Sequence, residues 1–171
     1  LPLVIVYPCS VIGPNDQSAG GAYVQNLIRE KLPAIVFPDA VLPYVDVDDV
    51  ANAIVLALEK PDNLGEKYIV GKHHLSLKDY GELICHTAGS TPPKKVMKPA
   101  VAIGLARLFT WLARFTGRPP LWGMTLDQML FLRELSKGLR VDATKVEREL
   151  GLHYTPIETT IAKAVHSYLK K

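Results

Sequence analysis

The chain has 171 residues, 48% hydrophobic and 22% charged, with 13 Pro and 12 Gly spread along it. This make-up fits one ordinary globular domain and excludes a disordered or collagen-like chain. Twenty Lys/Arg against seventeen Asp/Glu leave a net charge of +3 with the signs intermixed, too weak a field to indicate nucleic acid.

Leu3 to Tyr7 is a continuous apolar, β-branched run that predicts a parallel strand covered on both faces, ended by Pro8. Cys9 to Gly21 contains Gly13-Pro14-Asn15-Asp16 and Gly20-Gly21. These read as turns in a long loop directly after the strand. Tyr23 to Lys31 predicts a short helix with Val24, Leu27 and Ile28 on one face, and Ile35 to Phe37 a short strand. From Val47, the spacing of Val50, Ala51, Ile54, Val55 and Leu58 predicts a helix, with Asp46 as N-cap and Asp48 and Asp49 where the helix dipole favours anions. Lys67 to Val70 predicts a strand closed by Gly71. Ser76 to Asp79 opens a helix that Gly89 ends.

Pro99 to Thr116 predicts the most hydrophobic helix, apolar across more than one face and therefore buried or covering something apolar. Thr125 to Gln128 opens a helix through Leu135, Leu139 to Val141 suggests a short strand, and Asp142 caps a helix ending at Leu150-Gly151. Thr155-Pro156-Ile157-Glu158 supplies an N-cap, a proline at the first helical position and a glutamate at the third before the last helix. Strand and helix come first, and mostly helices follow. The order predicts an α/β fold, the end of a sheet followed by a mostly helical substrate-side lobe.

The search for chemistry excludes several classes. No GxxxxGK[ST], GxSxG or HExxH occurs, the five histidines have no metal-ligand spacing, and Cys9 and Cys85 make no CxxC. No metal site is expected, and two isolated cysteines suit a reducing, cytoplasmic compartment. Helix-start electrostatics accounts for Asp46, Asp48 and Asp49 without Mg²⁺. Tyr68 and Lys72 have the spacing of an acid/base pair on a helix. In the extended segment expected here they would stand about 13 Å apart. The longest greasy stretch, Pro99 to Phe115, holds Arg107 and Arg114 and falls short of a membrane span. Attachment of this stretch to an anionic membrane surface is a separate reading.

Three motifs stand in order: Pro8-Cys9-Ser10-Val11-Ile12-Gly13-Pro14-Asn15-Asp16, Tyr44-Val45-Asp46-Val47-Asp48-Asp49-Val50-Ala51 and Gly65-Glu66-Lys67-Tyr68-Ile69-Val70-Gly71. With Asp142 to Val146, Glu149 to Leu152 and Thr155 to Glu158, they make the chain resemble an extended short-chain dehydrogenase/reductase. The similarity is to the NAD-dependent epimerase/dehydratase branch that includes dihydroflavonol reductases and 3β-hydroxysteroid dehydrogenases.

The resemblance implies a Rossmann half with a glycine-rich pyrophosphate loop and a catalytic Tyr-x-x-x-Lys helix ahead of Leu3. Neither occurs here in that context. It therefore implies that residues 1–171 are the C-terminal half of such an enzyme, with 1–60 the end of the Rossmann core and the substrate loop and 61–171 the helical lobe and closing helices. No catalytic residue is expected within the chain, and none of the turnover without the N-terminal half, which would bind most of the NADP or NAD.

On the same resemblance, Pro8, Cys9, Ser10 and Val11 run past the nicotinamide, with backbone groups near Pro8 and Val11 on its carboxamide. Gly13, Asn15, Asp16 and Tyr44 border the substrate, and Phe109 and Trp111 favour an apolar one. Tyr7 stands where many relatives carry Arg, which weakens the case for a nucleotide sugar. The implied function is an NAD(P)-dependent oxidoreductase acting on a carbonyl or hydroxyl carbon of an apolar small molecule. A sugar-nucleotide epimerase/dehydratase and a non-catalytic binding protein of the same fold are the alternatives. The partners implied are that small molecule and the N-terminal half. An isolated piece is expected to aggregate or form a homodimer through its open edge.

Overall fold

The computed structural model describes residues 3–117, 125–138 and 140–170. Strand β1 (Ile5–Pro8) lies parallel to β5 (Lys67–Val70), with Tyr7 level with Ile69. A second sheet has the order β2-β4-β6. Strand β2 (Ser10–Ile12) is parallel to β4 (Val41–Asp46), and β6 (His73–Ser76) is antiparallel to β4 on its other side. A third, two-stranded parallel pair joins β3 (Ile35–Val36) to β7 (Val96–Met97). The helices are α1 (Ala19–Ile28), α2 (Val47–Glu59), α3 (Leu77–Ala88), α4 (Pro99–Thr116), α5 (Leu126–Leu135), α6 (Thr144–Leu150) and α7 (Ile157–Leu169). This is the expected α/β arrangement of parallel strands followed mostly by helices.

Local chemistry explains most of the helix ends. Asp46 is extended (φ −70°, ψ 141°) and its carboxylate accepts the Asp48 N–H at 2.9 Å, starting α2. Ser76 Oγ accepts the Asp79 N–H at 3.0 Å to start α3, and Gly89 ends it at φ 70°. Thr125 and Gln128 close a capping box on α5.

Three buried clusters carry these elements, one of them joining α4 to α5 through Ala102, Ala106 and Met129. In another, Leu27, Tyr44, Ile84, Ile161 and Val165 join α1, α3 and α7 to the β2-β4-β6 sheet. In the third, Val45, Ala53, Tyr68, Val146 and Leu150 clamp α2 and α6 onto the β1-β5 pair. Each fully buried Leu, Ile or Val here contributes roughly 1.5–3 kcal/mol.

Several expectations are corrected. The stretch Cys9 to Gly21 is not all loop: Ser10–Ile12 is a strand, and α1 begins at Ala19, with Ser18 Oγ accepting the Gly20 N–H at 3.1 Å. Gly20 and Gly21 therefore lie in a helix. Strands β4, β6 and β7 have no counterpart in the sequence reading. The β1 strand is only half covered, since Tyr7 is exposed. Of the two readings of α4, buried or covering something apolar, the structure sets aside the first: the helix buries Ala102 and Ala106 and leaves Leu108, Trp111 and Phe115 exposed. Leu139 of the expected short strand lies outside the described residues, and Arg140 and Val141 form no strand.

Thr155 is also not the N-cap of α7, whose first turn has no side-chain cap. Its N–H and hydroxyl both donate to the Asp49 carboxylate at 2.8 Å. Thr160 Oγ1 donates to Asp46 at 2.8 Å, and Lys163 Nζ reaches Asp46 at 3.2 Å and Asp48 at 2.9 Å. The three aspartates thus fasten α2 to α7. Two of them, Asp46 and Asp49, are buried, where a carboxylate is tolerated only with partners of this kind.

Candidate functional site

The turn between β2 and α1 is built on Gly13, Asn15 and Asp16, whose types follow from their positions. A Cβ on Gly13 would sit 2.7 Å from Val47 Cγ1, so only glycine allows this close approach to the start of α2. Asn15 takes a left-handed conformation at φ 57°. The Asp16 carboxylate accepts the Ser18 N–H and hydroxyl, both at 2.8 Å. The turn is then tied to α7, because Asn15 donates its N–H to Ser167 Oγ at 3.0 Å and Tyr168 donates its hydroxyl to the Asp16 carbonyl at 2.9 Å.

Behind this turn lies a cavity of about 360 Å³, within the size range of small-molecule sites. Val11 and Gly13 form one side, Tyr23, Tyr44 and Tyr80 another, and Met129 with Leu132 of α5 a third. Among the described residues lining it there is no Lys, Arg or His, and Asp16 is the one charged side chain.

The tyrosines form a stack. Tyr44 and Tyr80 have ring centroids 4.4 Å apart, and Tyr80 and Tyr23 are 6.4 Å apart. Burial pushes the Tyr23 hydroxyl up to about 12, with Cys85 nearby adding to the shift. Burial, reinforced by neighbouring tyrosines, drives Tyr44 and Tyr80 still further from ionisation. All three are neutral hydrogen-bonding groups at physiological pH. The Tyr23 hydroxyl is buried and has no partner among the described residues.

The residues expected along the cofactor sit at one corner. Pro8 ends β1, and Cys9 donates its N–H to the Val70 carbonyl at 2.9 Å. A Cβ on Gly71 would overlap Cys9 Cβ and lie 2.5 Å from its Sγ, so the ends of β1 and β5 meet without a gap. Burial raises the Cys9 thiol above its ordinary value, which makes it a packing group rather than a nucleophile. Ser10 and Val11 continue into β2 and line the cavity.

The structure brings Ser10, Val11, Gly13, Asp16 and Tyr44 together around one space, with Asn15 shaping its rim. It does not bring Phe109 and Trp111 there. Phe109 is half-buried in α4, and Trp111 packs on Phe115 at 4.7 Å, away from the cavity lining. The apolar wall comes instead from α5, whose Met129 and Leu132 sit at helical spacing after the capping box. Tyr23 and Tyr80 were also missed. Tyr68 and Lys72 make no pair: Tyr68 reaches Glu149 at 3.4 Å and Lys72 reaches Glu147 at 2.6 Å.

Comparison with known proteins finds similarity in sequence and in fold. Residues 1–71 match the NAD dependent epimerase/dehydratase family. A Synechocystis protein named for dihydroflavonol 4-reductase is 29% identical over 96% of this chain and 47% of its own length. The sterol demethylase protein B of Methylococcus capsulatus is 29% identical over 96% of this chain and 49% of its own. The crystal structure of gox2253 superposes with a TM-score of 0.74 at 30% identity, covering 99% of this chain and 50% of that one. The chain spans about half the length of the curated relatives it matches. The chain is thus similar to the NAD dependent epimerase/dehydratase family over residues 1–71, its sequence is similar to a protein named for dihydroflavonol 4-reductase over about half of that protein, and its fold is of the Rossmann type.

Proposed function

We propose that the chain is the C-terminal half of an NAD(P)-dependent oxidoreductase acting on a carbonyl or hydroxyl carbon of an apolar small molecule, and that its cavity holds that molecule. The carrying observation is the cavity lining, which is apolar, stacked with tyrosines and, among the described residues, without a cation. A nucleotide sugar brings a diphosphate that calls for Arg or Lys, so the lining favours a ketone or alcohol over that substrate. The reductase and sterol names of the two relatives point the same way.

The C-terminal placement is supported by what this half leaves open. Tyr7 and Ile69 lie side by side and exposed on the β1-β5 pair, and α2 presents Ile54, Val55 and Leu58 outward. Exposed apolar groups on both sides of this layer are ordinarily covered, and we assign that cover to the remainder of the protein.

The residues at the corner of β1 and β2 suit the nicotinamide end of the cofactor. The Cys9 N–H is already used, so Pro8 and Val11 would offer the backbone contacts to its carboxamide. The cofactor, when bound, supplies or accepts the hydride. This chain orients the substrate, excludes water from it and offers Tyr23 as a hydrogen-bonding group. No tyrosine lining the cavity is poised to move a proton, and that role falls to the other half.

The experiment is NADPH and NADH oxidation with medium-length apolar ketones, run on the protein at its natural length and on residues 1–171 alone. Turnover is expected from the first and none from the second. Net consumption of neither cofactor by the natural-length protein contradicts the proposal. Tyr23→Phe sharpens the test. Removing a buried, partnerless hydroxyl leaves stability unchanged or raises it by up to about 1 kcal/mol. If the substrate uses that hydroxyl, KM rises about tenfold with little change in kcat. An unchanged KM removes Tyr23 from the site.

A further inference from the structure

We propose that α4 docks the protein onto an anionic lipid surface, lying flat in the headgroup region with its exposed apolar face toward the acyl chains. This rests on α4 and the basic stretch leading into it, and not on the function proposed above.

Val101, Leu108, Trp111, Leu112 and Phe115 share one side of the helix, opposite Ala102 and Ala106, which are buried against α5. Trp111 is 56% and Phe115 73% exposed. An 18-residue helix is roughly 27 Å long, and this one has its large apolar groups toward one end and face. No helix among the described residues is long and apolar enough to cross a membrane. An apolar stripe along one side of α4 suits a helix lying in the headgroup plane.

Charge selects the occupant. The sequence has no Asp or Glu from Leu83 through Leu126, while Lys94, Lys95, Lys98, Arg107 and Arg114 all fall in that stretch. Arg107 and Arg114 are seven residues apart and lie along one edge of the apolar face. From there their side chains can extend past it to phosphate while their stems stay over apolar surface. A second copy of the chain would bring an equally basic face to a two-fold contact and be repelled. A bilayer rich in anionic headgroups provides both complements at once, an apolar layer for Trp111 and Phe115 and negative charge for the arginines.

The test is co-flotation of the natural-length protein with phosphatidylcholine vesicles, with and without about 30% phosphatidylserine. Binding to the anionic vesicles is expected, with several-fold less to the neutral ones and loss at high salt. Trp111→Ser/Phe115→Ser and Arg107→Glu/Arg114→Glu are each expected to cut binding by about tenfold or more. The arginine pair is exposed, so it decides the matter if the apolar double variant fails to fold. Absence of flotation by folded wild-type protein overturns the proposal, and so does flotation that neither double variant reduces. A dimer in sedimentation equilibrium that Trp111→Ser/Phe115→Ser dissolves also overturns it, since the face would then belong to a second copy.

Discussion

Gly21→Ala is expected to destabilise the fold by about 3 kcal/mol or more, lowering Tm by roughly 6–12 °C for a protein of this size. The added Cβ would overlap the Asp16 carbonyl oxygen and lie 2.7 Å from the carbonyl carbon and 2.8 Å from Tyr168 Oη. The first neighbour is backbone held by the Asn15–Ser167 contact, and the second is the phenol that anchors it. Relief therefore requires the whole turn to move. Because this turn bounds the cavity, the variant should also lose ligand binding in proportion. A thermal melt by circular dichroism checks it, and a Tm within 2 °C of wild type would show that the turn yields more easily than its contacts allow.

Asp46→Ala is expected to cost about 3–5 kcal/mol. It removes the N-cap of α2, strands the Thr160 hydroxyl in the core and deprives Lys163 of one of its two carboxylates. Asp46→Asn keeps a cap acceptor and a group for Thr160, so its loss should be smaller, about 1–2 kcal/mol. Urea unfolding of the two variants gives the comparison. Equal losses would mean that charge rather than capping and hydrogen bonding holds α2 to α7. A change in Asp46→Ala below about 0.5 kcal/mol would remove the clamp from the account.

What the sequence made legible was local. Asp46, Ser76, Thr125, Gly89 and Gly151 mark helix ends through contacts within one turn, and the structure has a helix end at each. What it hid was non-local. Strand β4 carries Pro43 and β6 carries His73-His74, residues with poor strand preference. The two are strands because Pro43 and His74 face each other across a sheet whose third member is β2. Thr155 reads as a cap in isolation, but Asp49, distant in sequence, claims both its donors. Gly20-Gly21 reads as a turn because the reason for glycine there, the Asp16 carbonyl, becomes visible only in three dimensions.

The candidate site divides in the same way. The Gly13 to Asp16 turn and Tyr44 were reached through the resemblance, and the structure places them around one cavity. Tyr23 and Tyr80 lie on helices that read from sequence as ordinary amphipathic pieces. Their stacking with Tyr44 depends on α1 and α3 packing together over β4. Helix α4 was the more hydrophobic by composition, yet α5 supplies the cavity wall. Composition reports how much apolar surface an element carries, and the tertiary fold decides which space it faces.

The most direct measurement is the crystal structure of the natural-length protein with nicotinamide cofactor and a medium-length apolar ketone. The account predicts the ketone against Tyr23, Tyr44 and Met129, with the nicotinamide beside Pro8 and Val11. A ketone bound elsewhere, with this cavity filled by the protein's own side chains, would contradict it.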